Sequence, residues 1–232
     1  MPAVMRPPSC LDEAPWFTAL PPHLQELTRR TAEEKTAGPG ETLARAGDPS
    51  SHWFGVVQGF VQMYVTGMDG TETTLYCLRQ GEWGGEGSLL KRETRRYHLV
   101  ALTPSRVCLV PAATFHVLHA ESLAFNHFLV SNMNDRMAVF IGMLEASRLL
   151  APELRVAKCL LMLAQGRRAG DAAPLCIPQH ELALICGLSR QRTNMALRAL
   201  KRKNLVRVDW KGIDYLDVPG IEAYVAEAPC RG

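Results

Sequence analysis

The stretch from Ile177 to Leu205, IPQHELALICGLSRQRTNMALRALKRKNL, gathers side chains that could do chemistry at a spacing that would make it work. Arg190, Gln191 and Asn194 would share one side of a helix. An arginine can hydrogen-bond guanine O6 and N7 together, and glutamine or asparagine can pair adenine N6 and N7, each match separating bases by roughly 1–3 kcal/mol. Around them stand Arg192, Arg198, Lys201, Arg202, Lys203, Arg207 and Lys211, charges suited to phosphate, which anchors without specifying. Gln179, His180 and Ser189 add neutral contacts. From Ser189 to Lys211 there are 8 cations against 1 acid. Such a face suits duplex DNA, whose major groove admits one helix. For Lys201, Arg202 and Lys203 alone, a solvated helix end favoured by the dipole explains the charge equally well.

Several elements must position these groups. A first helix is expected from about Gln179 to Cys186, with Leu182 and Ile185 inward; Gly187 supplies the turn and Ser189 caps a second helix from Arg190. On that second helix Thr193, Ala196, Leu197 and Leu200 form the packing side. This is a helix-turn-helix. A supporting helix is expected over Glu153 to Gln165, followed by the loop GRRAGDAAP. The runs LVRV and IDYLDV, joined by DWKG, read as a β-hairpin wing, and Gly220 to Ala226 as a closing helix.

The whole chain has 232 residues, 47% hydrophobic and 21% charged, with a formal net charge of +3, which bounds it to about two soluble domains. The charge is uneven: 13 Lys and Arg against 8 Asp and Glu lie from Ala151 onward. The seven cysteines are odd in number and show no CxxC or Cys/His ligand spacing, which reads as a reduced, cytosolic chain with most thiols serving as small hydrophobes. No apolar run reaches the length needed to span a bilayer, and the N-terminus has no signal-like apolar region.

Before the helices the texture differs. A short amphipathic leading helix is expected in HLQELTRRTAEEK, with Leu24 and Leu27 as its apolar contacts. From Pro39 to Pro111 short β-prone runs such as WFGVV, FVQMYV, TTLYCL and HLVAL alternate with turn signals, which implies a β-sandwich or barrel. Between Thr114 and Leu150 the apolar residues Phe125, Leu129, Met133, Met137, Phe140, Ile141 and Leu144 recur at helical steps, predicting one long amphipathic helix that stops at Ala151-Pro152. Its length of some seven turns exceeds what packing on a β-domain needs and points to a dimer seam.

The ordered series Gly40, Gly47-Asp48, Gly59, Gly70, Gly81 and Gly85-Glu86, followed by a helix-turn-helix, resembles the cyclic-AMP receptor and fumarate-nitrate reductase regulator (CRP/FNR) family of bacterial transcription factors over residues 35 to 225. The resemblance implies an α+β chain: an N-terminal sensor domain over 1–121 with a double-stranded, jelly-roll-like β-roll at about 35–113, a dimerisation helix over 122–150, and a winged helix-turn-helix over 151–232. It implies a cytoplasmic homodimer on a near-palindromic DNA site, with RNA polymerase as a partner. The family reads its sites from the positions of Arg190, Gln191 and Asn194; at Met195 its two best-known members carry an arginine, so a different half-site is expected.

In cyclic-nucleotide-binding members a Gly-Glu pair accepts the ribose hydroxyl and an arginine meets the phosphate. Gly85 and Glu86 fit the first role and Arg95 or Arg96 the second, with Ser88 and Tyr97 beside them. An internal salt bridge between Glu86 and one of these arginines is the plainer alternative. The Thr-Ser pair that holds adenine falls on Phe140 and Ile141, which cannot hydrogen-bond a base, so cyclic AMP in its familiar pose is not expected. Another cyclic nucleotide, another small ligand and no ligand all stay open. An iron-sulfur cluster would need several N-terminal cysteines, and only Cys10 is there. Haem would need an axial ligand, and no spacing singles out one of His52, His98, His116, His119 and His127.

Two other classes compete. A cupin-like metal-dependent enzyme needs His-x-His in the roll, and none occurs; nor does a Gly-x-Ser-x-Gly elbow, a Walker loop or HExxH. No catalytic residue and no metal-ligand set is therefore assigned. A ligand-binding module acting on a protein partner would lack duplex binding.

Overall fold

The computed structural model describes residues 11–164, 179–208, 213–215 and 217–227. The loop expected after Gln165, the turn of the wing with Lys211, and Cys10, Cys176 and Cys230 lie outside the described residues. Contacts divide the chain into two compact units, one built from Met1–Val65 and Tyr76–Met137, the other from Thr66–Leu75 and Ala138–Gly232.

The first unit opens with α1 (Pro15–Thr18) and α2 (Pro22–Thr31), each started by a proline in its first turn, where the missing N–H costs nothing. The strands are β1 (Glu33–Ala37), β2 (Thr42–Ala44), β3 (His52–Gln58), β4 (Phe60–Thr66), β5 (Glu72–Arg79) and β6 (Trp83–Gly84). After α3 (Glu86–Lys91) come β7 (His98–Ala101) and β8 (Ser105–Pro111). They form two four-stranded sheets, ordered β1-β8-β3-β6 and β2-β7-β4-β5. The expected leading helix is shorter than its sequence pattern: Glu33–Ala37 leaves it to pair antiparallel with β8, Glu33 opposite Leu109 and Ala37 opposite Ser105. Backbone pairing with an otherwise open edge outweighs the helical preference of two glutamates and a lysine.

The core of this unit is aromatic. Trp16 and Phe17 of α1 reach inward to Trp53 of β3 and Trp83 of β6, with Trp53 and Trp83 ring centroids 4.4 Å apart. Phe115 and Phe125 complete the cluster with edge contacts of 5.3–5.7 Å to Trp53 and to each other. Phe115 belongs to α4 (Ala112–Glu121) and Phe125 to α5 (Leu123–Leu149). The helical pattern after Thr114 is thus two helices, not one. Ser122 adopts an extended conformation and its Oγ accepts from the Phe125 N–H at 3.1 Å, capping α5.

Phe125 and Leu129 correct the expected dimer seam. Both are buried with the tryptophans and have no surface left for a partner. The exposed apolar residues of α5 include Val130, Met133, Met137, Phe140, Ile141 and Leu144 between Leu123 and Leu149 at its ends, and 130, 133, 137, 140 and 144 keep the alternating three- and four-residue steps of a coiled-coil stripe. Val130 takes the place that the sequence pattern gave to Leu129.

The second unit contains α6 (Pro152–Ala164), α7 (Gln179–Cys186), α8 (Arg190–Arg202), a two-stranded wing of β9 (Val206–Val208) and β10 (Ile213–Tyr215), and α9 (Val218–Ala226). Its core is aliphatic: Val156, Leu160 and Leu163 of α6 meet Leu182 and Ile185 of α7, Leu197 and Leu200 of α8, and Ile221 of α9. Helix α9 starts two residues before the expected Gly220 because Asp217 caps it, accepting from the Gly220 N–H at 2.9 Å. Cys77, Cys108, Cys159 and Cys186 are buried. No helix among the described residues is long and apolar enough to cross a membrane.

Candidate functional site

The candidate reading face is built on α8. Gly187 sits at φ +60°, a left-handed turn that a side chain would strain, and brings α7 round to α8. Arg155 of α6 fixes that turn, its Nη2 donating to the Cys186 carbonyl at 2.7 Å and the Gly187 carbonyl at 3.1 Å. Ser189 accepts from the Arg192 N–H at 3.3 Å as the α8 cap. Replacing Ser189 with alanine removes that acceptor and is expected to cost about 1 kcal/mol in the urea or thermal unfolding of the protein.

Thr193, Ala196, Leu197 and Leu200 are buried, as the periodicity predicted. On the other side Arg190, Gln191, Arg192, Met195 and Arg198 are exposed, Asn194 is half-buried, and Lys201, Arg202 and Lys203 follow in exposed positions at the C-terminal end. Arg190, Gln191, Asn194 and Met195 therefore share one accessible helix face, over the first turn and a half. Gln179 is exposed at the start of α7; the side chain of His180 lies outside the described residues. Lys203 is partly engaged, its Nζ lying 5.1 Å from the centroid of the Tyr224 ring.

A second constellation lies in the first unit. Gly85 has φ +96°, and a Cβ there would meet Phe54 at 2.7 Å and Arg95 Nη1 at 3.2 Å, so only glycine lets the chain turn into α3 beside that guanidinium. Glu86 begins α3 and is buried, as are Ser88 and Arg95. The two candidate arginines separate clearly. Arg96 is exposed and pairs with Glu93 at 2.9 Å, whereas Arg95 points inward and donates through Nη2 to the His52 carbonyl at 3.2 Å. Its guanidinium lies over Phe54 and Tyr97, at 5.4 and 5.6 Å from the ring centroids.

The alternative of an internal salt bridge between Glu86 and Arg95 or Arg96 is replaced by a different one. Glu86 Oε1 accepts from Arg136 Nη1 of α5 at 2.5 Å. The same guanidinium also donates to the Trp83 carbonyl, joined there by Asn132 Nδ2 at 3.1 Å. Arg136 and Asn132 escaped the sequence reading, although two polar residues one turn apart inside an apolar helix are a signal for a buried polar contact.

Arg95 is left with Nε and Nη1 buried and without a hydrogen-bond partner, and among the described residues it forms no ion pair. Burial pushes the Tyr97 phenol up despite the Arg95 charge, so Tyr97 is neutral near pH 7 and supplies no counter-charge. Burial likewise holds His52 below the usual imidazole range, against the pull of Glu33. A buried guanidinium with two unsatisfied N–H sites is chemically suited to a phosphate or carboxylate. Phe140 and Ile141 of α5 are exposed apolar side chains. Among the described residues no group of three His, Cys, Asp or Glu could hold a metal ion; His98 stacks on Tyr64 and His119 on Phe115.

Known proteins resemble the chain over both of these regions. The cyclic nucleotide-binding domain model matches residues 34–122 and the Crp-like helix-turn-helix domain model matches residues 154–224. The cyclic AMP receptor protein of Thermus thermophilus is 27% identical over 195 residues, 84% of this chain and 89% of that protein. The cAMP-activated global transcriptional regulator Vfr of Pseudomonas aeruginosa is 28% identical over 177 residues, 73% and 83% of the two chains. Among solved structures, FixK2 from Bradyrhizobium japonicum superposes with a TM-score of 0.75 at 18% identity, covering 86% of this chain and all of that one. With a β-roll, a long helix and a winged helix-turn-helix in that order, this chain belongs to the CRP/FNR family of signal-controlled, DNA-binding transcription regulators.

Proposed function

We propose that the protein works as a cytoplasmic homodimer that reads a near-palindromic DNA site through paired α8 helices, under control of an anionic ligand held by Arg95. The observation that carries the reading is the two-sided α8. One side is wholly buried, and the other presents Arg190, Gln191, Asn194 and Met195 with cations behind them. The exposed stripe from Val130 to Leu144 is the dimer seam, which sets two reading helices about 34 Å apart, in successive major grooves. Arg190, Gln191 and Asn194 contact base edges. Arg192, Arg198, Lys201, Arg202, Lys203 and Lys211, with Gln179, His180 and Ser189, contact phosphate. Met195 offers only apolar contact, to a thymine methyl for example.

The functional division follows 1–121 for sensing, 122–150 for dimerisation and 151–232 for DNA, and RNA polymerase is the partner of the bound dimer. In the sensor the ligand's anion lies against Arg95 and the Gly85 turn, beside Glu86, Ser88 and Tyr97. At Phe140 and Ile141, the positions that the family resemblance gives to the adenine contacts, the side chains carry no hydrogen-bonding group, which does not suit cyclic AMP in its familiar pose. Ligand binding shifts the equilibrium between two placements of the DNA heads. Selection of bound duplexes from a random pool, with and without a panel of cyclic mono- and dinucleotides, tests the whole reading. A palindrome should be enriched, and any ligand effect should vanish in Arg95→Gln. Failure to enrich a palindrome under every condition would sink it.

A further inference from the structure

A cavity of about 400 Å³ opens within the second unit, between the C-terminal half of α5 and helices α6, α7 and α9. We propose that it is a second small-molecule site, separate from the Arg95 cradle, for a ligand with an aromatic or conjugated body and one anionic group. Its volume lies within the range of about 300–1,000 Å³ usual for such sites.

The space exists because α5 turns Ala138, Gly142 and Ala146, at four-residue steps, toward α6. At roughly 100° per residue this row lies opposite the exposed stripe of Met137, Phe140 and Leu144. A second copy of the chain seated on that stripe would therefore leave the cavity uncovered, and the occupant has to be something smaller.

Charge and polarisability define that occupant. Among the described residues two cations, Arg155 and Lys158, line the cavity and no carboxylate does. Arg155 is already committed to the Cys186 and Gly187 carbonyls. Lys158 is available: its Nζ stands 3.8 Å from the position a Gly142 Cβ would take. Its 3.6 Å pairing with Glu145 is partly exposed on both sides, the kind of ion pair worth little and readily exchanged for an anion in the cavity. Four sulfur-bearing side chains, Met143, Cys159, Met162 and Cys186, face the same space. Sulfur lies favourably against aromatic ring edges, so the body of the ligand is a polarisable ring system rather than a sugar. Cys186 ends α7, directly before the Gly187 turn that sets α8, so an occupant bears on the reading helix.

The aromatic sulfonate 8-anilinonaphthalene-1-sulfonate is a fitting probe. Titrated into the intact protein, its fluorescence should rise saturably to one molecule per subunit and should protect Cys159 and Cys186 from alkylation. Gly142→Leu, which fills the cavity, should weaken binding by at least about tenfold and Lys158→Met by several-fold. The small substitution Gly142→Ala, whose Cβ clashes with nothing, should fold and show an intermediate loss. Arg95→Gln should bind the probe as the parent does. Probe binding that never saturates, that Gly142→Leu and Gly142→Ala leave unchanged, or that Arg95→Gln abolishes, would overturn the proposal without touching the DNA-reading one.

Discussion

Replacing Arg190 and Asn194 together with alanine will erase the preference of the protein for its own site while leaving it folded. On the proposed reading each side chain supplies one bidentate base contact worth roughly 1–3 kcal/mol, so the pair would account for about 2–6 kcal/mol, or some 30- to 10⁴-fold in specific affinity. Affinity for random duplex should fall far less, because Lys201, Arg202 and the other cations remain. The melting temperature should hardly move, since Arg190 is exposed, Asn194 only half-buried, and the packing side of α8 is untouched. The complementary change, Lys201→Ala, should weaken all duplexes alike and lower the salt dependence by about one counterion. Electrophoretic or fluorescence titrations against the selected palindrome and a scrambled duplex, at two salt concentrations, separate the two classes of contact. An Arg190→Ala plus Asn194→Ala protein that still prefers the palindrome tenfold or more would remove these residues from the reading face.

The helix-turn-helix was legible because its signals are local. Ser189, Gly187 and the spacing of Thr193, Ala196, Leu197 and Leu200 each concern a few neighbouring residues, and the structure puts α7 at its expected bounds and starts α8 at the expected Arg190. The ordered glycines of the roll were legible for a similar reason, since Gly85 at φ +96° is a position no other residue fills without strain. What stayed hidden depended on partners far away in sequence. An apolar stripe tells which residues of α5 avoid water but not what covers each one. Phe125 and Leu129 go to Trp16 and Trp53, while Val130 and Met133 stay outside. Glu33–Ala37 looks like helix until β8 offers its edge. Counting residues could not choose between Arg95 and Arg96, and burial did, because alternate residues at the entrance to β7 face opposite ways.

Loss of Arg136 should damage the fold severely. Its side chain and that of Glu86 are only 12% and 4% exposed, and their ion pair joins α5 to the start of α3 at the edge of the tryptophan cluster. Arg136→Met keeps most of the packing volume but strands the Glu86 carboxylate, whose second oxygen already lacks a partner, and leaves the Trp83 carbonyl with Asn132 as its side-chain donor. Breaking a buried pair from one side typically costs about 3–5 kcal/mol. For a chain of this size that corresponds to a melting temperature lower by roughly 6–20 °C. Adding Glu86→Gln to Arg136→Met should restore much of the loss, because a neutral amide tolerates burial far better than an unpaired charge. The double substitution thus distinguishes charge pairing from shape. If Arg136→Met melts within about 2 °C of the parent, the pair is not a structural tie. If the double variant is no better than the single, the cost lies in lost packing over Tyr76, whose ring centroid is 5.7 Å from the guanidinium. A recovered fold would leave Arg95 a buried cation without a counter-charge among the described residues of the first unit, and a ligand response preserved in that background would place the signal on Arg95 rather than on the Glu86–Arg136 tie.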